Sequence, residues 1–281
     1  MWGLLPLYLR ALRAVPALEV VAHRVLWSFG LLLVLLAARK NLAWLQLLRA
    51  RPRIVWGFVA SALALAVNWF VYIWAVGVDR VVDASLGYFI NPLLSVVLAV
   101  VVLKERLRRL QWAAVGLAFT GVLWLATLSG QVPWVGLTIA VSWASYGLLR
   151  KTATLNTLEG LALETSLLVP LAAGYLIWLS VQGNSAWSSA GVGLRALLLA
   201  AGPLTAAPLL CFTAGARRIP LSLLGVLQYL GPTLQLALGV LVFKEPFPAT
   251  KLVGFALIWF SLLLYAVEGL TFANSRMARA A

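Results

Sequence analysis

The chain has 281 residues, of which 63% are hydrophobic and 11% are charged, whereas an ordinary soluble domain is about half apolar and about a quarter charged. This composition predicts a protein that crosses a membrane several times. The net charge of +14 does not indicate a nucleic-acid partner, because the basic residues lie at the ends of apolar runs and form no soluble patch.

The cysteine and histidine content argues against a metal centre. Cys211 and His23 are the only residues of their kinds, so these ligands cannot supply an internal disulfide or a closed zinc site. The eight acidic residues are scattered, and the sequence contains no phosphate-cradling glycine loop with its lysine. We therefore expect no metal and no cofactor, and an ATP-driven step would need a separate subunit.

The apolar runs have lengths suited to transmembrane helices. A helix needs about 20 apolar residues to cross the ~30 Å hydrocarbon layer. Runs near that size lie at residues 18–38, 54–78, 81–103, 110–128, 132–149, 158–181, 193–216, 219–243 and 250–270. The earlier segment from Trp2 to Leu9 is too short to cross and lacks the basic start of a signal peptide.

An internal repeat accounts for the short first segment. An offset of 140 residues aligns Leu18-Glu19 with Leu158-Glu159, Pro92 with Pro232, Leu98 with Leu238, and Lys104-Glu105 with Lys244-Glu245. Residues 1–131 and 132–281 are therefore predicted to be two copies of a five-helix unit. The first copy would lack the first turns of its first helix, through an alternative start or a truncation.

Five spans per copy fix the expected architecture. Because that number is odd, the second copy enters the membrane inverted, related to the first by a pseudo-two-fold axis in the membrane plane. The prediction is an all-α polytopic membrane protein of ten transmembrane helices in two inverted repeats. Residues 39–53, 104–109, 150–151, 217–218 and the tail carry 15 Lys and Arg, against six in the alternate loops. Both termini are then cytoplasmic.

The span at 18–38 begins with three ionisable residues. Glu19 and His23 form an i,i+4 pair on one helix face, and Arg24 follows directly. A charged side chain deep in the bilayer costs about 3 kcal/mol on insertion scales, so it normally faces protein or water. Our hypothesis is that Glu19 and His23 line a transport path, and that His23, which can change charge near neutral pH, couples transport to protons. The alternative is a structural polar clamp, or an Arg24 that snorkels outward.

The second copy carries acids at the equivalent helix start. Glu159 and Glu164 lie there, and Leu163 and Glu164 replace His23 and Arg24. A path with a cationic wall at one end and an acidic wall at the other would suit an amphipathic or zwitterionic solute. The alternative for Glu159 is simple exposure to interfacial water.

Two spans carry a proline well inside the helix, Pro92 and Pro232. Proline removes a backbone hydrogen bond and clashes with the preceding turn, so carbonyls near Tyr88 and Gln228 are freed. Matching helix breaks in inverted copies point to a binding site near the bilayer midplane. The candidate site residues around the breaks and on the neighbouring span are Asn68, Trp69, Tyr88, Asn91, Gln228 and Tyr229. Ordinary helix kinks are the alternative interpretation.

Small residues along 113–121 and 199–207 allow helices to approach closely. They are expected to hold together the bundle, or a dimer, so both a monomer and a homodimer remain open.

Several stretches together form a pattern typical of one family: Glu19 to Ser28, Asn68-Trp69, Ala84 to Pro92, Lys104 to Trp112, Leu161 to Glu164 with Pro170, Pro208 to Thr213 and Gln228 to Thr233. They resemble the RarD branch of the EamA-type drug/metabolite transporters. The resemblance covers nearly the whole chain. It implies a ten-helix inner-membrane permease of two five-helix copies, in a branch labelled for chloramphenicol sensitivity or resistance. The positions that it marks as family-typical, without a role, are Glu19, His23, Arg24, Asn68, Asn91, Glu164 and Gln228.

The sequence thus favours a secondary active transporter, not an enzyme, that exports or exchanges a small amphipathic metabolite or drug by alternating access, with proton antiport as the expected driving force. Membrane lipids surround it. A flippase for lipid-linked sugars is an alternative of the same architecture. An intramembrane enzyme would need paired acids that hold a metal, which the scattered acids do not supply, and a structural scaffold gives no reason for the charged residues inside a span.

Overall fold

A computed structural model of the protein describes residues 1–39, 46, 52–77, 81–128, 134–242 and 249–280. Regular structure in these ranges is helical throughout. A 3-10 helix, Trp2–Leu4, is followed by α1 (Leu5–Ala11), α2 (Ala17–Arg39), α3 (Arg53–Gly77), α4 (Val81–Val101), α5 (Arg109–Thr127), α6 (Trp134–Thr152), α7 (Thr157–Val181), α8 (Ala186–Ser189), α9 (Val192–Arg218), α10 (Leu221–Leu227), α11 (Leu230–Ala237), a π-helical stretch (Leu238–Val242) and α12 (Ala249–Ala280).

Most of the described helices agree with the predicted spans to within a few residues, but the span predicted at 219–243 is divided into shorter helices, and α12 continues to Ala280, beyond the predicted end at residue 270. Six of them are long and apolar enough to cross a membrane: Ala17–Arg39, Arg53–Ala75, Arg109–Thr127, Thr157–Val181, Val192–Arg218 and Leu252–Gly269. Shorter apolar helices lie at Gly87–Val101 and Leu221–Leu234. The prediction of an all-α polytopic membrane protein is confirmed. The inverted repeat stays a prediction, and its Lys244-Glu245 match lies outside the described residues.

The chain forms two compact units, and each draws on both halves of the sequence. The first comprises Met1–Asp79 and Ser145–Ile219, and the second comprises Arg80–Ala144 and Pro220–Ala281. In the first unit α2 packs against α7 and α9, and α3 packs against α7. In the second, α5 packs against α12, and α4 packs against α10. Helix α6 belongs to both units, because the division falls between its residues Ala144 and Ser145.

Helix ends in the first unit are held by side chains. The backbone N–H of Asn156, before the first turn of α7, donates to Glu159 at 3.3 Å. At the end of α9, Lys151 Nζ donates to the carbonyl oxygens of Ala216 at 3.2 Å and Ile219 at 2.8 Å. A cation at this position also interacts favourably with the helix dipole. Glu159 therefore has a structural role in starting α7.

Glycines let helices touch at two of the predicted small-residue stretches. A Cβ on Gly202 in α9 would lie 2.6 Å from the carbonyl of Trp27 in α2, and a Cβ on Gly121 in α5 would lie 2.7 Å from the carbonyl of Gly254 in α12. Both distances are too short for a side chain. Gly116, one and a half turns before Gly121 on α5, has nothing within 4 Å of such a Cβ.

The two intrahelical prolines behave differently. Helix α4 continues through Pro92 from Val81 to Val101, so the interruption predicted there is absent. Proline is tolerated in a transmembrane helix where neighbouring helices and local adjustments satisfy the freed backbone, and α10 packs tightly at this point. A Cβ on its Gly225 would lie 2.9 Å from the carbonyl of Pro92.

At Pro232 the helix is divided, because α10 ends at Leu227 and α11 begins at Leu230. Pro232 has no N–H to offer the carbonyl of Gln228. That carbonyl instead accepts from the N–H of Gly231 at 3.2 Å, a tighter 3-10-type bond. The chain therefore changes helical geometry at Gln228 and Tyr229.

Replacing Gly121 by Ala should destabilise the second unit by about 1–3 kcal/mol, because the added methyl group overpacks the contact between α5 and α12. Gly116→Ala is the matched control on the same helix. It should leave stability unchanged or raise it by up to about 1 kcal/mol, since its site is open and alanine favours a helix. Denaturant unfolding of the two purified variants measures both changes, and equal stabilities would contradict the packing described.

Candidate functional site

The paired residues at the start of α2 are buried and linked to the short helix α8. His23 Nε2 lies 3.9 Å from Glu19 Oε1. The same carboxylate oxygen accepts from Ser185 Oγ at 3.1 Å and from the backbone N–H of Trp187 at 3.3 Å. Glu19 thus connects the first turn of α2 to the start of α8. Its other oxygen, Oε2, has no hydrogen-bond partner among the described residues.

His23 is fixed on its other side by an indole. Trp27 Nε1 donates to His23 Nδ1 at 3.2 Å. Because an indole N–H can only donate, Nδ1 is the unprotonated nitrogen of a neutral imidazole, and the proton lies on Nε2, toward Glu19. The ring of Trp187 lies 5.4 Å from the imidazole, centroid to centroid. His23 therefore sits between a donor, a carboxylate and an aromatic face.

Arg24 is directed into the first unit and does not snorkel to the surface. Its Nε donates to Thr205 Oγ1 in α9 at 2.8 Å, and its guanidinium carbon lies 5.0 Å from the centroid of the Trp69 ring. Arg24 and Trp69 are both buried. The cation–π contact, worth about 2 kcal/mol when desolvated, joins α2 to α3 and gives Trp69 a defined role.

Glu164 lies at the centre of a second buried cluster in the first unit. The carboxylate is fully buried, and its Oε1 accepts from Ser61 Oγ at 2.5 Å. Its Oε2 accepts from the Tyr146 hydroxyl at 3.3 Å. Arg150 Nη1 lies 3.6 Å from Oε1, an ion-pair distance that is too long for a good hydrogen bond. The carboxylate is thus held by two neutral hydroxyls and one nearby cation.

Arg150 is enclosed although it lies near the end of α6. Its side chain is fully buried, its Nη2 donates to the carbonyl of Thr157 at 3.1 Å, and its guanidinium carbon lies 5.5 Å from the ring centroid of Phe58. Gly160 in α7 leaves the room, since a Cβ there would collide with the guanidinium. Arg150 is therefore a partner of Glu164, and the basic pair at 150–151 does more than orient a loop.

The second unit contains a group of amides around the division between α10 and α11. Asn91 Nδ2 of α4 donates to Gln228 Oε1 at 2.9 Å, and Trp143 Nε1 of α6 donates to the same oxygen at 2.6 Å. Asn91 Oδ1 and Gln228 Nε2 have no hydrogen-bond partner among the described residues. The structure thus brings two of the candidate site residues, Asn91 and Gln228, into direct contact, and their role in binding stays a prediction.

Tyr229 lies in the apolar core of the second unit. Its ring stacks on Phe89, with centroids 6.5 Å apart, in a cluster that also includes Phe255 of α12. Tyr88, on α4, is partly buried. The ring of Tyr229 thus packs in this core, while its buried hydroxyl has no hydrogen-bond partner among the described residues; its role in binding stays a prediction.

The predicted site residues divide between the two units. The first unit holds Glu19, His23, Arg24, Asn68, Trp69 and Glu164; the second holds Tyr88, Asn91, Gln228 and Tyr229. Helix α6 serves both units, because Trp143 contacts Gln228 and Tyr146, three positions later, contacts Glu164. Within the described residues no group of three His, Cys, Asp or Glu side chains is placed to hold a metal ion.

Sequence reasoning missed several partners of these residues. They are Ser61, Trp143, Tyr146, Arg150 and Thr205. One feature of the sequence could have indicated the burial of Arg150: Gly160, ten positions later, allows a close approach between the two residues. The position of Arg150 beside Lys151 instead favoured a charged residue at a loop. The others carry hydroxyl or indole groups that are common in membrane helices, and only the packing of helices identifies what they contact.

Comparisons with known proteins agree over nearly the whole chain. The EamA-like transporter family matches residues 1–127. The chain is 45% identical to Protein RarD of Streptomyces exfoliatus over 279 residues, covering 99% of this chain and 89% of that protein. It is also 45% identical to an uncharacterized transporter of Vibrio cholerae serotype O1 over 270 residues, covering 96% and 89%. A solved crystal structure that is 21% identical has a TM-score of 0.72, covering 96% of this chain and 94% of that chain, and shows the fold alone.

Breaking the buried pair should cost more than removing it. Arg150→Met leaves the Glu164 carboxylate buried without its cation, which should lower the free energy of unfolding by about 3–5 kcal/mol. The double variant Arg150→Met/Glu164→Gln should recover most of this loss, because no charge is left unpaired. Denaturant unfolding of both variants measures the difference.

Arg195→Met is the control, since Arg195 is exposed: it donates to the carbonyls of Trp187 and Ser188, and its guanidinium carbon lies 5.8 Å from the centroid of the Trp187 ring. Its effect should stay within about 1 kcal/mol. A double variant no more stable than Arg150→Met alone would show that the charge pairing described for Glu164 is wrong.

Proposed function

Because the chain belongs to the RarD branch of the EamA-type drug/metabolite transporters, we propose that it is a secondary active transporter that moves a small amphipathic metabolite or drug across the bacterial inner membrane by alternating access, coupled to protons. That it is an integral membrane transporter follows from the family and its helices. The solute, the coupling ion and the orientation with both termini in the cytoplasm belong to the proposal.

The observation that carries proton coupling is the position of His23 between Trp27, whose N–H only an unprotonated nitrogen can accept, and Glu19, whose carboxylate favours a protonated imidazole. In the neutral state Nδ1 accepts from Trp27. A protonated imidazole has N–H groups at both nitrogens, so it cannot keep that bond. Its charge is instead compensated by Glu19, 3.9 Å from Nε2, and by the face of the Trp187 ring. When His23 gains a proton, it therefore loses the hydrogen bond from Trp27 and gains an ion pair with Glu19.

Glu19 would pass this exchange to the rest of the first unit. Its Oε1 already holds Ser185 and the backbone of Trp187 at the start of α8, while its Oε2 is unpartnered among the described residues. A protonated His23 would attract the Glu19 carboxylate and so pull it away from Ser185 and Trp187. The contacts that hold α8 would then depend on the proton, and this is the kind of two-state element that alternating access requires.

The remaining polar residues are proposed to serve the solute path. In this proposal Arg24, Asn68, Trp69 and Glu164 act in the first unit, and Tyr88, Asn91, Gln228 and Tyr229 act in the second. Membrane lipids would contact the exposed apolar side chains of α7, such as Leu171 and Ile177. The transporter would work as a monomer or a homodimer.

Proton coupling is tested with the protein in vesicles that carry an imposed pH gradient, with chloramphenicol as the first probe. Wild-type protein should move the probe faster with the gradient than without it. His23→Ala and Glu19→Gln should each abolish this difference, because neither can exchange the Trp27 bond for the ion pair. Rates are measured from retained radiolabel.

Glu159→Gln is the matched control, since Glu159 contacts the start of α7 and lies outside the proposed pair. It should keep the gradient dependence, even if the variant is slightly less stable. Gradient dependence that survives in both His23→Ala and Glu19→Gln would remove this pair from the coupling mechanism.

A further inference from the structure

The orientation of the Gln228 amide is determined by its neighbours. Trp143 Nε1 can only donate, so the Gln228 atom that it contacts at 2.6 Å is the carbonyl oxygen. That oxygen also accepts from Asn91 Nδ2. Both existing bonds therefore use Oε1, and the amide nitrogen of Gln228 is left over. Nε2 is shielded from solvent and has no hydrogen-bond partner among the described residues.

Asn91 carries the complementary unpartnered atom, the hydrogen-bond acceptor Oδ1. Its side chain is 2% exposed, its Nδ2 is used by Gln228, and its Oδ1 has no partner among the described residues. A buried polar atom without a partner costs about 1–3 kcal/mol. Two such atoms, one donor and one acceptor, thus lie on two residues that touch each other. Native structures rarely keep such a pair unless something else binds it.

The backbone at this point also departs from regular helix. Gln228 and Tyr229 separate α10 from α11. At membrane depth, non-helical backbone is tolerated where it is buried in protein or lines a cavity. The unpaired amide groups and the divided helix are therefore independent features of the same short stretch.

We propose that Asn91 Oδ1 and Gln228 Nε2 form a binding subsite for an uncharged head group that offers a hydrogen-bond donor beside an acceptor, with carboxamides as the simplest members. The proposal rests on the proposed transport function and defines the class of its solute. The ligand's N–H or O–H would donate to Asn91 Oδ1, and its carbonyl oxygen would accept from Gln228 Nε2.

The absence of charge on these side chains sets the selectivity. Asn91, Gln228 and Trp143 are all neutral. A carboxylate or ammonium group bound between them would lose its hydration without gaining a counter-charge, which is expensive in a membrane interior. A neutral amide loses less hydration free energy on burial, and it forms hydrogen bonds with both Asn91 Oδ1 and Gln228 Nε2. Trp143 acts as a positioning residue, because it holds the Gln228 oxygen and so directs the nitrogen toward the ligand.

Gln228→Glu tests the subsite without altering its existing contacts. The substitution keeps an oxygen where Trp143 and Asn91 donate, and it replaces only the unpartnered nitrogen. Vesicles containing the full-length protein are loaded with an equimolar mixture of small aromatic carboxamides, carboxylates and amines. Mass spectrometry follows what leaves, and leakage from protein-free vesicles is subtracted.

Wild-type protein should release carboxamides in preference to both charged classes. Gln228→Glu should reduce carboxamide release by about tenfold or more, because a lost hydrogen bond and a new repulsion exceed 1.4 kcal/mol, and it should favour amines instead. Gln182→Glu, a change of the same kind at an exposed position, should release the mixture as wild type does. Thermal unfolding of Gln228→Glu should remain cooperative but occur at a lower temperature than in wild type, since both bonds to the retained oxygen persist while a carboxylate replaces a neutral amide at a buried site.

Carboxamide release that is unchanged in stably folded Gln228→Glu would overturn the subsite and leave the unpaired atoms to a bound water. Selective release of a charged class by wild-type protein would also overturn it, while leaving transport itself intact. Release of no class above the leak would contradict the subsite and the proposed transport together. The three results are thus distinguishable in one assay.

Discussion

A polar group inside the hydrocarbon layer must find its partner within the protein, because no water is there to replace it. Much of the described structure follows from this constraint. Glu164 is held by two hydroxyls and Arg150, and Arg24 is held by a threonine and an indole face. These contacts join helices that are distant in the sequence, so they stabilise the first unit as well as the charges.

Some buried polar atoms among the described residues do not meet this constraint, and their positions are informative. Among the described residues, unpartnered buried atoms lie on Glu19 and His23 in one unit and on Asn91 and Gln228 in the other, and Arg150 and Tyr229 also carry such atoms. A group that is satisfied in only one protonation state, or only with a ligand bound, costs stability in the resting protein. Such costs are typical of functional positions. Tyr229 shares this feature, because its hydroxyl is buried without a hydrogen-bond partner among the described residues, although its ring packs in an apolar core.

Hydropathy predicted most of the helices, because spanning segments must be long and apolar, but it predicted neither the division of the span at 219–243 nor the extension of α12 to Ala280. The i,i+4 spacing predicted the contact of Glu19 with His23, which lies within one helix. The contact of Asn91 with Gln228 spans 137 positions and was not predicted, because the matching prolines only placed each residue near a helix break. The burial of Arg150 was not predicted, because a basic residue at a helix end gives the same sequence pattern whether its side chain faces a loop or a carboxylate. The continuity of α4 through Pro92 depends on packing by α10, which no local pattern encodes.

The central claim is that this chain carries an uncharged polar solute through the membrane at the expense of a proton gradient. The most direct measurement loads vesicles containing the purified protein with a low-molecular-mass cell extract, imposes a pH gradient and identifies by mass spectrometry what leaves. The account predicts that at least one uncharged compound with a neighbouring donor and acceptor leaves faster than from protein-free vesicles, and only while the gradient lasts. Efflux indistinguishable from that of protein-free vesicles, with the protein folded and inserted, would contradict it.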